Sequence, residues 1–274
     1  MQKVCIKAKG YRFIFVTLQS LNSLSMSCIL HIETSTDACS VAVSQDGANI
    51  FFETTESINQ NEGENAPTTI GGHTRGGGNA QMLGVLVDQA LSFTDNHAIP
   101  FDAVAVSSGP GSYTGLRIGV SMAKGVCYGR NLKLISIPTL QLMCVPVLLC
   151  NADELPDDAL LCPMIDARRM EVYTALYDRA LHTVMEVEPM VIDSGSFREE
   201  LDKRPIYFFG NGSDKCKEVI NHPNAHFIEG ITPLAKWMSP LAEKKNAMAD
   251  FEDVAYFEPF YLKEFVALKS KKLL

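Results

Sequence analysis

Short apolar runs separated by turn residues open the patterned part of the chain. Three of them predict an antiparallel meander of strands: CILHIE at 28–33, CSVAVS at 39–44 and NIFFET at 49–54. Two further runs, at 101–108 and 133–137, predict buried strands. Residues 55–78 lose all periodicity and carry a run of glycines, which predicts an exposed flexible loop.

Two segments of the first half have the spacing of helices. In the first, which Asn79 can cap, apolar residues form a single stripe over 79–93. The second, 115–129, is apolar around most of its circumference and carries small residues at Gly115, Gly119 and Ala123. A helix with this pattern must be buried on more than one face. The predicted order of the first half is therefore β-β-β-α-β-α-β.

The second half approximates the same order. LLCPMID and MEVYTALYD predict a hairpin around Ala167 and Arg168, followed by a third strand. After it come a helix over FREEL, a short strand over YFFG, a helix over DKCKEVI, a short strand over HFI and a final helix interrupted at Pro240. Two successive βββαβα units are the plan of the two-lobed actin/Hsp70 (ribonuclease H-like) fold, an α/β class with a mixed sheet and helices in each lobe. We expect an N-terminal lobe at 26–137 and a C-terminal lobe at 138–274.

Charge and cysteine usage narrow the functional classes. The net charge of −8 argues against this chain being a main RNA-binding surface, because such affinity comes from lysine and arginine neutralising phosphates. The eight cysteines form no CxxC pair, and several lie in apolar runs, which favours reduced thiols and a cytoplasmic protein. We expect no membrane segment, since no run after residue 25 is long and apolar enough.

The first 25 residues combine a basic start with a short apolar stretch. A secretory signal would require a longer apolar region and a small-residue cleavage site. We interpret residues 1–25 as a disordered extension or the product of a misplaced start codon, since Met26 directly precedes the first strand. A signal peptide is the alternative.

The turn after the first strand is a candidate phosphate site. Glu33 ends that strand, and Thr34, Ser35 and Thr36 follow it with hydroxyl groups and turn amides that can donate to phosphate oxygens. In the actin-like ATPases, whose plan this order of elements resembles, an aspartate at the position of Glu33 normally organises Mg²⁺ through water. We therefore expect a degenerate phosphate hairpin.

A glycine-rich loop before the second helix is the other candidate. It consists of Gly109, Pro110, Gly111, Ser112, Tyr113, Thr114 and Gly115. The glycines permit a tight turn, and Ser112 or Thr114 can cap the helix. Such a loop can hold phosphate at a helix N-terminus, but the simpler interpretation is a strand-to-helix turn, and no Walker-type GK[ST] follows.

Together with the later hairpin, these loops resemble the TsaB (YeaZ) family of tRNA threonylcarbamoyladenosine biosynthesis proteins, a glycoprotease-like branch of the actin/Hsp70 ATPase superfamily. The shared motifs are IETST (32–36), GPGSYTGLRIG (109–119), DARRMEVYTALY (166–177), which carries Asp166, Arg168, Arg169 and Glu171, and a closing element with Pro259, Tyr261, Leu262 and Lys263. The resemblance runs in order from Met26 to about Lys263.

The resemblance implies a pseudo-enzyme that binds and activates a catalytic subunit, TsaD. It implies no catalytic residues, no metal and no required cofactor in this chain, with ATP and metal belonging to TsaD. It also implies a TsaE-like ATPase in the same complex, a homodimer when the chain is alone, and contact with tRNA only through the complex.

The resemblance further implies that the two helices of the first lobe bind the partner. The expected interface consists of Met82, Leu83, Leu86, Val87, Leu116, Gly119, Val120 and Ala123. The alternative is that the sheet and the other lobe cover these residues. The chain departs from the family at Asn79-Ala80-Gln81, where the family often has His-Ser-Gln.

Two other functions remain open from the residues. An active small-molecule kinase of the same superfamily would need Glu33 and a second carboxylate, for which Asp166 is the candidate. A glycoprotease-type peptidase would need a metal or a Ser-His-Asp group. His222 and His226 have the spacing of helical metal ligands, but Pro223 lies between them, which disfavours a helix there.

Overall fold

The computed structural model describes residues 27–55 and 77–263, with the side chains of 77–80 excepted. The expectations for residues 1–25, for most of the loop 55–78 and for the Asn79 side chain lie outside the described residues. Within the described ranges the chain forms two five-stranded mixed sheets with helices, which confirms the predicted α/β fold.

The first sheet has the strand order β3-β2-β1-β4-β5. Its strands are β1 (Cys28–Glu33), β2 (Ser40–Gln45), β3 (Ala48–Thr54), β4 (Ala103–Gly109) and β5 (Lys133–Pro138). The first three form the predicted antiparallel meander, and β4 and β5 continue the sheet in parallel with β1. Three helices accompany these strands. In chain order they are α1 (Gly77–Asn96) before β4, α2 (Tyr113–Arg130) before β5 and α3 (Thr139–Cys150) after β5.

The central strands of this sheet are buried on both faces, since their apolar side chains point alternately to one side and the other. Leu30 and Ile32 face α1 and α2, whereas Ile29 faces α3 and the C-terminal part of the chain. This explains why the central strands are nearly continuous apolar runs rather than alternating ones.

The second sheet has the order β10-β9-β6-β7-β8. Its elements are β6 (Leu160–Asp166), β7 (Glu171–Tyr177), β8 (Thr183–Val191), a short helix α4 (Arg198–Leu201), β9 (Ile206–Phe209) and β10 (Ala225–Ile228). The predicted helix over DKCKEVI is only a 3-10 turn at Asp214–Cys216. The last helix, α5 (Ser239–Ala247), has Pro240 in its first turn, where the missing N–H costs nothing, so proline starts this helix rather than interrupting it.

The C-terminal part of the chain returns to the first sheet. Met238 and Ala242 pack against that sheet, and residues 250–263, which we call the C-terminal strap, run along its edge. Glu252 pairs with Leu134, and the Phe260 N–H donates to the Ser108 carbonyl at 2.7 Å. The expected division, which gave all of 138–274 to the second lobe, therefore differs from the structure in this segment.

No helix among the described residues has the length and apolar character needed to cross a bilayer.

Candidate functional site

The turn after β1 uses its own polar groups. Glu33 Oε1 accepts hydrogen bonds from the Ser35 N–H, at 2.6 Å, and from the Ser35 hydroxyl. Glu33, Thr34 and Ser35 are buried, and this burial raises the pKa of the Glu33 carboxyl, an effect that the hydrogen bonds from Ser35 partly offset. The amide and hydroxyl that would bind a phosphate are thus occupied by Glu33, while Thr36 stays partly exposed at the end of the turn.

The glycine-rich loop lies directly on this turn. The Ser112 N–H donates to the Ser35 carbonyl at 2.7 Å. A Cβ on Gly111 would clash with Ser35, and a Cβ on Gly115 or Gly119 would clash with Thr34. These glycines therefore serve the close approach of α2 to the hairpin, so the residues present do not fit a phosphate between the two segments.

We expect Gly119→Ala to lower the free energy of unfolding by about 2 kcal/mol, because its methyl group overlaps the Thr34 side chain. Gly125→Ala in the same helix is the matched control: nothing lies within 4 Å of its Cβ, so it should raise stability by up to about 1 kcal/mol. Urea unfolding measures both. Thr34→Ala in the Gly119→Ala background should restore part of the loss, and a neutral Gly119→Ala would contradict the packing described.

Ser112, and not Thr114, caps α2. The Ser112 Oγ accepts from the Gly115 N–H at 3.2 Å, whereas Thr114 is exposed. The Tyr113 ring packs on Tyr261 of the strap at 4.8 Å between centroids, and the Arg117 guanidinium lies 5.0 Å from the Tyr113 ring. Gly109 has a φ of 109°, and a Cβ there would clash with the Phe260 carbonyl oxygen, while Pro110 is buried. The loop is thus an element of packing between the lobe and its strap.

Most of the expected partner interface is covered by the chain itself. Seven of its eight residues are buried in the first lobe: Leu83, Leu86, Val87, Leu116, Gly119, Val120 and Ala123. Only Met82 is partly exposed. The assignment of these seven residues to an exposed partner surface is wrong, because each is buried within the chain, and Gly119 packs directly on Thr34.

A different face of α2 is open to solvent and apolar. It forms one wall of a groove of about 750 Å³ whose lining is Leu91 of α1 and Arg117, Ile118, Ser121, Met122, Gly125, Val126, Gly129 and Arg130 of α2. Nothing lies within 4 Å of a Cβ placed on Gly125 or Gly129. The sequence signal for this face was a second line of small residues at 121, 125 and 129, which the first line at 115, 119 and 123 obscured.

The hairpin between β6 and β7 holds its carboxylates in ion pairs. Asp166 is paired with Lys215, and Glu171 with Lys263 of the strap. Arg168 and Arg169 are exposed at the tip. Asp166, the second carboxylate that a kinase would need, therefore already has a cationic partner.

The histidine pair does not form a shared site. The His222 Nε2 lies 3.2 Å from an Asp202 oxygen, whereas His226 lies in β10 with its ring stacked on Tyr207. As the sequence predicts, the segment runs from loop to strand. Across residues 27–55 and 77–263, no cluster of three or more His, Cys, Asp or Glu side chains could hold a metal ion.

Comparison with known proteins places this site in context. The family model for TsaD, described as tRNA N6-adenosine threonylcarbamoyltransferase, matches residues 79–269. The chain is 28% identical to the tRNA threonylcarbamoyladenosine biosynthesis protein TsaB of Escherichia coli, over 88% of this chain and 97% of the relative. The Bacillus subtilis protein of the same name is 34% identical over 43% of this chain and 49% of its own length. The structure of YeaZ from Pseudomonas aeruginosa superposes with a TM-score of 0.62 at 20% identity, covering 86% of this chain and all of that one.

Proposed function

Because this chain belongs to the TsaD family, and within it to the TsaB (YeaZ) proteins of tRNA threonylcarbamoyladenosine biosynthesis, we propose that it is the non-catalytic subunit that binds and activates a TsaD-like transferase. In this role it supports transfer of the threonylcarbamoyl group to a tRNA adenosine without touching the reacting atoms. A TsaE-like ATPase joins the same complex, and the chain pairs with itself when TsaD is absent.

The observation that carries this proposal is the open groove along α2. Its walls are apolar at Leu91, Ile118 and Met122, and exposed apolar surface of this kind marks an interaction site. The small residues Ser121 and Gly125 lower the surface of α2, which allows the axis of a second helix to approach closely. The occupant is a helix of TsaD, because a homologous lobe presents a corresponding helix pair and such pseudo-symmetric surfaces can be complementary.

The absence of catalysis in this chain is supported by the site itself. The donors of Ser35 are bonded to Glu33, and the carboxylate of Asp166 is paired with Lys215. Both hairpins that would meet a nucleotide's phosphates have thereby lost groups that bind phosphate or metal. We assign the ATP and metal requirement to the partner subunits.

Isothermal titration tests both halves of the proposal. Titrating the full chain with cognate TsaD should give a complex of micromolar or tighter affinity that co-elutes in gel filtration. Titrating the chain alone with Mg-ATP should give no heat of binding. Failure of TsaD to bind at micromolar concentrations would overturn the scaffold role, and turnover of ATP by the chain alone would favour the kinase function instead.

A further inference from the structure

The tip of the β6–β7 hairpin has an unusual backbone. Arg168 has a φ of 76° and Arg169 a φ of 53°, so two consecutive residues with Cβ atoms adopt the left-handed conformation. For residues other than glycine this conformation costs on the order of 1 kcal/mol or more each. A glycine or asparagine would adopt this conformation more easily, so two arginines at these positions carry a conformational cost.

The tip is held rigidly by its flanks. The Arg168 N–H donates to Asp166 Oδ1 at 3.1 Å, and the Glu171 N–H donates to the Arg168 carbonyl at 3.1 Å. From outside the hairpin, the Asp166 N–H donates to the Asn211 side chain at 3.0 Å, and the Lys215 ammonium donates to the Glu171 carbonyl at 2.7 Å. The backbone that carries the two arginines is therefore held in place by hydrogen bonds on both sides of the tip.

The two arginines at the tip of the hairpin carry positive charge that its ion pairs do not neutralise. Asp166 and Glu171 contribute −2, and their partners Lys215 and Lys263 contribute +2, so these four cancel. Arg168 and Arg169 then leave a local charge of +2 on a chain of net charge −8. Neither arginine forms an ion pair with any residue in the described ranges, and both are exposed.

An aromatic stack connects this hairpin to the first lobe. Lys263, which binds Glu171, lies two residues after Tyr261, whose ring packs on Tyr113 beneath Arg117. Both tyrosines are partly exposed, and cations interleaved with aromatic rings are typical of surfaces that follow a nucleic-acid backbone.

We propose that Arg168 and Arg169 bind backbone phosphates of RNA held by the complex of this chain with TsaD. This inference rests on the proposed function and adds to it a direct RNA contact. Guanidinium groups bind phosphate oxygens in a bidentate manner, and because the backbone of the tip is held by hydrogen bonds, mainly side-chain entropy is lost on binding. The tip projects from the sheet, which suits an extended polyanion better than a free nucleotide, because small ligands bind in concave pockets.

Fluorescence anisotropy with a labelled tRNA transcript tests this contact. The double variant Arg168→Ala, Arg169→Ala, in complex with TsaD, should bind tRNA at least about tenfold more weakly near 0.1 M salt, and the slope of log affinity against log salt should fall by about 2. Arg168→Lys, Arg169→Lys keeps both charges and should retain most of the salt slope while losing bidentate contacts.

The matched control removes the same charge elsewhere. Lys203 and Arg204 precede β9, whose first residue pairs with Leu160 at the start of β6, so they lie at the opposite end of the sheet from the hairpin. Lys203→Ala, Arg204→Ala should leave tRNA affinity within about twofold of the wild type. An equal loss in both double variants would indicate bulk electrostatics and overturn the proposal.

A second variant separates binding from folding. Arg168→Gly, Arg169→Gly relieves the left-handed conformation, so its melting temperature should equal or exceed that of the wild type while tRNA affinity falls. Wild-type affinity in this variant overturns the RNA contact even if TsaD co-elutes normally.

If TsaD does not co-elute, the proposed function fails separately from the RNA contact. Binding of tRNA is then measured on the chain alone, and absence of binding there overturns the contact too. Displacement of tRNA by millimolar ATP, lost in the same variants, would assign the arginines to a free nucleotide instead.

Discussion

Replacing Gly125 with leucine is expected to abolish the complex with TsaD without harming the fold of the chain. Gly125 lies in α2 and nothing lies within 4 Å of a Cβ placed there, so a longer side chain can extend into the groove. Exchanging glycine for leucine inside a helix should stabilise the chain by up to about 1 kcal/mol. The same side chain fills the groove at the level where a partner helix must come within about 8–10 Å, which should weaken binding at least about 100-fold.

Titration calorimetry with TsaD and a thermal melt of the free chain measure the two effects separately. Gln89→Leu is the matched control, because Gln89 is exposed on α1 about 160° around the helix from Leu91, the α1 residue that lines the groove. It adds the same side chain outside the groove and should leave the affinity unchanged. A Gly125→Leu chain that binds TsaD like the wild type would place the interface elsewhere.

The contrast between Gly125 and Gly119 shows where prediction from the sequence ends. Periodicity identified α2, its length to within two residues at each end and its apolar circumference. It could not decide which of two lines of small residues faces outward, because that depends on the Thr34 turn, some 80 residues away in the chain. Local pattern predicts that a helix is buried on several sides but does not identify the neighbour on each side.

The same limit explains the C-terminal strap. The strands and the meander follow from local composition, and the order of strands and helices along the chain was predicted correctly for the first lobe. The return of residues 235–263 to the first sheet depends on single contacts, such as Phe260 with Ser108 and Glu252 with Leu134. No periodicity encodes such contacts. The substitution at Glu33, in contrast, was informative on its own, since the side chain that replaces the usual aspartate binds the turn's own donors.

The buried histidine of β1 leads to the other large expected effect, a loss of stability in mild acid. His31 is fully buried in β1, where its Nε2 lies 2.7 Å from the Ser44 hydroxyl, and its Nδ1 has no hydrogen-bond partner among the described residues. Burial lowers the pKa of His31 from 6.5 to about 3. Between these two values the unfolded chain binds a proton that the native chain does not bind.

The sign of the effect follows from this difference in bound protons. As the pH falls below 6.5, protonation favours the unfolded state by about 1.4 kcal/mol per pH unit, so the free energy of unfolding should fall by about 2 kcal/mol between pH 7 and pH 5. Burial raises the pKa of Glu33, which acts in the opposite direction because its native form binds a proton more readily. The full slope of the free energy of unfolding against pH should therefore be observed in the variant Glu33→Gln, measured by urea unfolding at several pH values. His31→Asn in that background should lower stability at pH 7 but flatten the slope, whereas an unchanged slope would mean that His31 titrates normally in the folded chain.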